Sequence, residues 1–451
     1  MKKIIIIVTV MITFFGNAQC WSKLVAGGNH CMALRNDGTL WAWGSDSYAL
    51  GQYIPYPYYP GQIGTDTDWV YIEGGNSNSY AIKSNGTLWA CGWNPYGQVG
   101  NGTIENQFAF VQIGTSTNWQ IVSAGINFTA GLKADGTIWT WGKNEYGQLG
   151  DGTYVNKNAP IQVGTDTDWV FLATTNESCV AKKTDGSIWS WGRNNSGQLG
   201  IGSGVNKTTP TKIGNLNDWK TLFGGGESVF AIKNNDTVWE WGSNNNGQLG
   251  IGNTVNKSSP VQFGTATNWK SFSLGAGCVL ALKNDNTLWG WGYNYEGQLG
   301  NGTNGGSSVL SPVQSTTDTN WLTVTVAYYF GAGLKSDNTG WCWGRGDERQ
   351  LGDGNNIDVN HPIQVSCTDL NVTTTDFANL ITLYPNPTKS LLTIQNNSGQ
   401  PIDSVTITDI TGKKIMSQNA STINVENLQQ GIYFIEVASG QNVYREKIIK
   451  E

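Results

Sequence analysis

One stretch, Trp139-Thr-Trp-Gly-Lys-Asn-Glu-Tyr-Gly-Gln-Leu-Gly150, restricts the folds open to this chain because it returns at a nearly fixed interval. Close copies start at Trp189, Trp239 and Trp289, and degraded copies at Trp41, Trp89 and Trp341. The spacings are 48, 50, 50, 50, 50 and 52 residues. Seven copies at a period near 50 mark a closed or stacked repeat architecture, in which each unit buries its apolar face on the next.

The third copy reads as four short strands. Trp119-Gln-Ile-Val-Ser is broken by Ala124-Gly125, and Phe128-Thr-Ala-Gly-Leu-Lys leads into the hairpin pair Asp135-Gly136. Thr137-Ile-Trp-Thr-Trp is the third strand. Pro160-Ile-Gln-Val163 is the fourth, with proline expected at its start, where no ladder N–H is needed. Alternation puts Thr137, Trp139 and Trp141 on one face. Four antiparallel strands per repeat make one propeller blade, so the expected fold is all-β, a seven-bladed β-propeller. Gly is 59 of 451 residues, and charged residues are 13%, against roughly 25% in an ordinary globular domain; both fit short strands and tight turns. Three Trp per repeat account for all 21, so these rings are expected in the wedges between blades rather than in a ligand cage. The Asp and Asn of the hairpin pairs (Asp37-Gly38 and Asn85-Gly86 through Asp337-Asn338) are expected to form turns and not to act as catalytic acids.

The pattern Ala-Gly…Gly-Leu-Lys…Asp-Gly-Thr-Ile-Trp-Thr-Trp-Gly…Tyr-Gly-Gln-Leu-Gly resembles the repeats of the regulator of chromosome condensation family over about residues 21 to 365. The resemblance implies a seven-bladed propeller. That family often has His before the second strand; here the column reads His30, Asn78, Phe128, Ser178, Ser228, Cys278 and Phe330. Nucleotide exchange, the activity of eukaryotic members, acts on a nuclear small GTPase and is not expected of an exported chain. Similar propellers also serve as secreted protein-binding modules, including inhibitors of β-lactamases.

A ring must join its ends. The last fourth strand, Pro362-Ile-Gln-Val365, has no successor and the first Trp strand, at Trp21, no predecessor; the two are expected side by side in one blade. Cys367 and Cys20 take the places of Thr165 and Asp168 in the ordinary connection, where Cα atoms can lie within about 7 Å. A disulfide tolerates about 4.4–6.8 Å, so Cys20–Cys367 is expected to lock the seam, with a stabilisation of about 4–5 kcal/mol in the entropic model. The chain has seven Cys, so at least one stays free or intermolecular; Cys31 and Cys179 share one repeat column and should not pair.

Residues 1–19 read as a signal peptide: Lys2-Lys3, an apolar run from Ile4 to Phe15 too short to span a bilayer, and a cleavage region at Asn17-Ala-Gln19. A lipid-anchored Cys20 is the rival reading, and Gln19 fits it poorly. The propeller is assigned to residues 20–367 and a polar, Thr-rich linker to 368–379. Residues 380–451 lose Trp and gain Lys, Ile and Val, with strands at Leu391, Ser404, Ile432 and Val443: a small β-sandwich. Leu383-Tyr-Pro-Asn-Pro387, Asp409-Ile-Thr-Gly-Lys413, Leu428-Gln-Gln-Gly-Ile-Tyr433 and Lys447-Ile-Ile-Lys450 together resemble the type A sorting domain of type IX secretion. This implies an encounter with the secretion machinery through residues 380–451, and a secreted or outer-surface protein. No later segment is apolar enough for a transmembrane helix.

The net charge of -6 gives no basic patch for nucleic acid. There are two His, His30 and His361, no metal-ligand spacing, no nucleophile elbow and no phosphate cradle, so no metal, cofactor or catalytic residue is expected. Binding sites are expected where the repeat is broken. The first copy replaces Gly-Gln-Leu-Gly and inserts Tyr53-Ile-Pro-Tyr-Pro-Tyr-Tyr-Pro60, so Tyr53, Tyr56, Tyr58 and Tyr59 are candidates for partner contact. Tyr328 and Tyr329, with Glu177, Glu227 and Phe128, should ring one face. Arg345-Gly346-Asp347 is read as a chance tripeptide. The expected role is protein binding at the cell exterior; polysaccharide binding in grooves between blades is the alternative.

Overall fold

The computed structural model describes residues 21–45, 48–51, 58–367, 381–396, 401–409, 413–439 and 442–451. All strands and no helices occur among them, in two units, 1–367 and 368–451.

In the first unit each repeat makes one four-stranded antiparallel sheet of consecutive strands, and there are seven such sheets. The third consists of Trp119–Ala124, Phe128–Lys133, Ile138–Gly142 and Lys157–Gln162. Gly131 lies between Trp139 and Val122 in the ladder, and a Cβ there would meet the Trp119 ring at 2.5 Å. The fourth strand starts at Lys157, three residues before the expected Pro160. Thr140 pairs with Ile161 and Gly142 with Lys157, so Asn158-Ala-Pro160 bulge opposite Trp141. A bulge needs no ladder N–H from every residue, which is why proline is tolerated inside this strand.

The hairpins are relays. Asp135 Oδ1 accepts from the Thr137 amide at 3.1 Å and hydroxyl at 2.6 Å, and Thr137 Oγ1 accepts from Trp139 Nε1 at 2.9 Å. The residue after the turn's Asp or Asn has positive φ, whether Gly136 (76°), Asp236 (62°) or Asn338 (62°). A cation covers the first Trp of each third strand: Lys133 sits 3.9 Å from the Trp139 ring, Lys283 3.5 Å from Trp289 and Arg35 3.5 Å from Trp41. The Thr137 hydroxyl, more than any other group, holds the Asp135 carboxyl below its usual range. These acids are committed to turns.

Sheets join through the repeated motif. The carbonyl of its Gln accepts from the third Trp of the next sheet: Trp141 to Gln98 at 2.8 Å, Trp191 to Gln148 at 3.1 Å, Trp241 to Gln198 at 3.1 Å. The motif's last Gly leaves room for that indole; a Cβ on Gly150 would lie 2.6 Å from Trp191 Nε1. The same bond crosses the seam, from Trp43 of the first sheet to Gln350 of the seventh at 3.0 Å. One apolar cluster there holds Trp21, Leu24, Cys31 and Trp43 together with Phe330, Leu334, Cys342 and Val365. The expected shared blade is therefore incorrect. Trp21–Ala26 pairs with His30–Arg35 and Val359–Val365 with Gly340–Gly344, each in its own sheet. The ring closes by sheet-on-sheet packing, as at every other interface.

The second unit has a three-stranded and a four-stranded sheet that share one core, including Leu392, Ile407, Ile435 and Ile448. It is a small sandwich. Ile381–Tyr384, Lys414–Gln418 and Thr422–Asn424 are strands beyond the four expected.

Candidate functional site

One end of each sheet carries two loops, one before the second strand and one after the third. They are tied by their backbones: the Lys143 amide donates to the Asn127 carbonyl at 2.8 Å and the Arg345 amide to the Tyr329 carbonyl at 3.0 Å. The second loop is wound around a buried Asn. Asn144 Oδ1 accepts from the Leu149 amide at 3.0 Å, while its Nδ2 donates to the carbonyls of Thr153 and Val155 at 3.0 and 3.2 Å. Asn94, Asn194, Asn244 and Asn294 repeat the knot. Side chains on these loops thus stand on a rigid base, which keeps the entropic cost of using them in recognition low.

On this face the sheets differ. At the third to fifth sheets it carries charges that satisfy one another. Arg193 pairs with Glu177 and lies 3.5 Å from Glu227, Ser196 donates to Glu227 at 3.0 Å, and Lys143 lies 3.9 Å from Glu177. At the sixth and seventh sheets it carries tyrosines. Tyr293 and Tyr295 stack with centroids 6.4 Å apart and 21° between planes. Tyr329 lies 6.5 Å from Tyr293 and 6.1 Å from Tyr328. Tyr295 is 58% exposed and Tyr329 37%. Arg345 lies 5.6 Å over the Tyr329 ring, and burial pushes the Tyr328 hydroxyl up to about 12. Glu296 stands beside this group with its carboxyl raised by burial and by Asp358.

Between the sheets, the loops before the second strands and the adjoining first strands line a cavity of about 320 Å³, reached by Tyr328. Its wall is stitched from sheet to sheet: Ser123 Oγ to Thr174 Oγ1 at 3.0 Å, the Val326 amide to Ser273 Oγ at 2.9 Å, the Ala26 amide to Thr325 Oγ1 at 3.0 Å. Glu73, also on this wall, has its pKa raised to about 7 by burial, against the pull of Lys23. Lys23 stands 3.7 Å over the Tyr71 ring.

The candidates read from sequence fall in different places. Tyr53, Tyr56 and Cys20 lie outside the described residues. Tyr58 is used at the seam: its carbonyl accepts from the Gly354 amide at 3.1 Å, the bond that Asn158 makes to Gly102. Its hydroxyl accepts from Arg349 Nη2 at 2.6 Å, and that guanidinium stacks on its ring at 3.7 Å. A Cβ on Gly354 would strike Tyr59. Tyr328 and Tyr329 belong to the tyrosine group. Phe128 is buried and does not ring the face. Arg345 and Asp347 pair with each other at 2.6 Å, so the tripeptide does not present two free charges. Tyr293 and Tyr295 were missed; they stand in the columns of Lys143 and Glu145, and that departure from the repeat was the available signal. Among the described residues no group of His, Cys, Asp and Glu could hold a metal ion, and no helix is long and apolar enough to cross a membrane.

Known proteins fit this geometry. The solved structure of human WBSCR16 is similar with a TM-score of 0.64 and 18% identity, covering 72% of this chain and 93% of that one. Prp20p from Saccharomyces cerevisiae is similar with a TM-score of 0.62 and 18% identity, covering 70% and 83%. These establish the β-propeller fold. No curated protein matches in sequence. Residues 382–451 match the secretion system C-terminal sorting domain, which marks the chain for type IX export to the cell surface or exterior. The regulator of chromosome condensation (RCC1) repeat matches 85–132, 135–175, 185–232, 235–282, 285–334 and 338–376, and a second model of that repeat matches 21–49, 69–98 and 119–148. With more than half of its length so matched, the chain belongs to the RCC1 repeat family.

Proposed function

We propose that this exported propeller is a protein-binding module rather than an enzyme, and that it takes its partner on the face built by Tyr293, Tyr295, Tyr328 and Tyr329. The observation that carries this is a group of touching, partly exposed tyrosines on rigid loops, beside a stretch of the same face where the charges are already paired. Tyrosine offers large contact area at low conformational cost. Prp20p, of the same fold, is described with its binding to Gsp1p and histones, which supports recognition of proteins by such rings without naming a partner here. Tyr53, Tyr56, Tyr58 and Tyr59 remain candidates for a second contact. An N-terminal signal peptide fits the export that the sorting domain implies.

A polysaccharide partner is the second reading. It is favoured by a groove of about 330 Å³ between the fourth and fifth sheets, lined by Ile201, Leu216, Trp219, Trp239 and Pro260. Against it, Lys233 already stands 4.5 Å from the Trp239 ring, so one indole face is taken. A photo-crosslinking residue placed at Tyr295, and at the exposed rim residue Val155 as control, separates the readings in the exported protein. Protein adducts from the cell surface at position 295 and not at 155 are expected. Equal adducts at both, or saturable binding to polysaccharide that is abolished by Trp239→Ala, would overturn the tyrosine-face reading.

The Cys20–Cys367 disulfide also stands as a proposal. Cys367 packs against the cluster containing Trp21, its carbonyl accepts from Arg35, and it is not among the free thiols Cys31, Cys91, Cys179, Cys278 and Cys342.

A further inference from the structure

The seam carries a second pair of cysteines that sequence reasoning did not bring together. Cys31, on the second strand of the first sheet, and Cys342, on the third strand of the seventh, have sulfurs 4.0 Å apart. Both are fully buried thiols in the cluster that closes the ring. Elsewhere the position of Cys31 is held by Ser79, Thr129, Cys179, Val229, Val279 and Gly331, and that of Cys342 by Ala42, Ala90, Thr140, Ser190, Glu240 and Gly290. Cys179 therefore has no thiol in the corresponding position of the preceding sheet, and its sulfur donates to the Gln148 carbonyl at 3.7 Å. Cys91 likewise donates to the Ala49 carbonyl at 3.6 Å. Cysteine stands on both sides at the one interface the chain does not cross: between the third and fourth sheets it runs directly through residues 163–168, whereas between the seventh and first there is no peptide link.

We propose that Cys31 and Cys342 are the site of a disulfide that forms in the exported protein and joins the first sheet to the last. The sulfurs must close from 4.0 Å to about 2.05 Å. The oxidant is a disulfide, either of a small thiol or of an extracytoplasmic oxidoreductase, which export makes available. One cysteine thiolate attacks it, forming a mixed disulfide and expelling one thiol; the second cysteine displaces the other. Two protein thiols and one disulfide give one cystine and two thiols, the two hydrogens ending on the reduced oxidant. Exchange needs thiolate and access, and the closed ring denies both: burial, together with the neighbouring Cys342, raises the Cys31 thiol. The bond therefore forms as the last sheet docks on the first. Once made, it lies out of reach of reductants. It is independent of the proposed Cys20–Cys367 bond.

The test is peptide mapping of the full exported chain, denatured in alkylating buffer without reductant. Lys23 separates Cys20 from Cys31, and Arg345 separates Cys342 from Cys367, so trypsin resolves the two pairs. A linked peptide pair containing Cys31 and Cys342, lost only when reductant is present during denaturation, is expected. Alkylated Cys31 and Cys342, or linkage of either to another cysteine, overturns the proposal whatever Cys20 and Cys367 do. Cys342→Ala should convert Cys31 from unlabelled to fully labelled. If that variant does not fold, the map of the unaltered chain still decides.

Discussion

The interface between the fourth and fifth sheets and the one between the seventh and first use the same parts. Trp241 donates to Gln198 at 3.1 Å, and Trp43 to Gln350 at 3.0 Å. A Cβ on Gly200 would lie 2.7 Å from Trp241 Nε1, and one on Gly352 2.6 Å from Trp43 Nε1. The difference is the backbone. The fourth and fifth sheets stay joined by residues 213–218 if their faces part; the seventh and first stay joined only by what packs there and by any disulfide. The seam adds a contact of its own, Arg349 on Tyr58, while its apolar cluster drawn from both sheets has a counterpart between the fourth and fifth. A noncovalent interface can thus be copied unchanged around a ring, but the copy without a chain link needs a supplement.

The sharpest way to break this comparison is Gly352→Ala against Gly200→Ala. Both residues have positive φ, 66° and 69°, and in both the new methyl strikes an indole nitrogen. Each should cost about 3 kcal/mol, from overpacking and from the left-handed backbone. In chemical denaturation under reducing conditions the Gly352 variant should lose more than the Gly200 variant, because its interface has no peptide link. Equal losses would mean that the seam is no weaker than its copies.

Most of the fold was legible because one signal was repeated seven times. The hairpin pairs, the three Trp per repeat and the strand boundaries all recur, so errors in one copy were corrected by the others. What misled was information carried by a single position in space. Pro160 suggested a strand start because sequence does not show the bulge opposite Trp141 that accommodates it. The seam contact of Tyr58 was not legible either, because the Arg349 it holds lies 291 residues away. Tyr293 and Tyr295 hid inside a copy whose Gly-Gln-Leu-Gly is intact. The site is harder to read than the ring because the ring is written many times and the site once.

Within the fifth sheet, Glu240 offers a smaller test. In the third and fourth sheets the same position holds Thr140 and Ser190, whose hydroxyls donate to the Leu149 and Leu199 carbonyls at 2.6 and 2.7 Å. Glu240 is fully buried and neither carboxyl oxygen has a partner. Burial raises its pKa to about 9, against the pull of Lys257. The folded chain keeps a proton that the unfolded chain releases. Stability from this group is therefore complete below about pH 4.5 and is lost progressively as pH rises towards about 9. Glu240→Thr should raise stability at pH 7 by about 2 kcal/mol, by supplying the hydroxyl and removing the buried acid. It should also flatten that part of the pH profile. Denaturant titrations at pH 5, 7 and 9 check both; parallel profiles for the two proteins would show that Glu240 does not titrate between folded and unfolded states as described.

The smallest effect probes the seam's own supplement. Arg349 has φ of 62°, in the motif position where Gly147 and Gly197 stand in other copies. It keeps this unfavourable backbone while its guanidinium stacks on Tyr58 and donates to the hydroxyl. Arg349→Ala removes the contact and retains the strain, so it should destabilise by about 0.5–1 kcal/mol, the range of an exposed cation–π contact with a hydrogen bond. Arg349→Gly removes both and should fall nearer to the unaltered protein. The difference between the variants measures the left-handed cost, about 1 kcal/mol, and the remainder measures the Tyr58 contact. Tyr58→Ala in the Arg349→Gly background should then add little. If it adds as much as in the unaltered chain, Tyr58 stabilises the seam through its backbone bond to Gly354 and its ring packing, and Arg349 is incidental to closure.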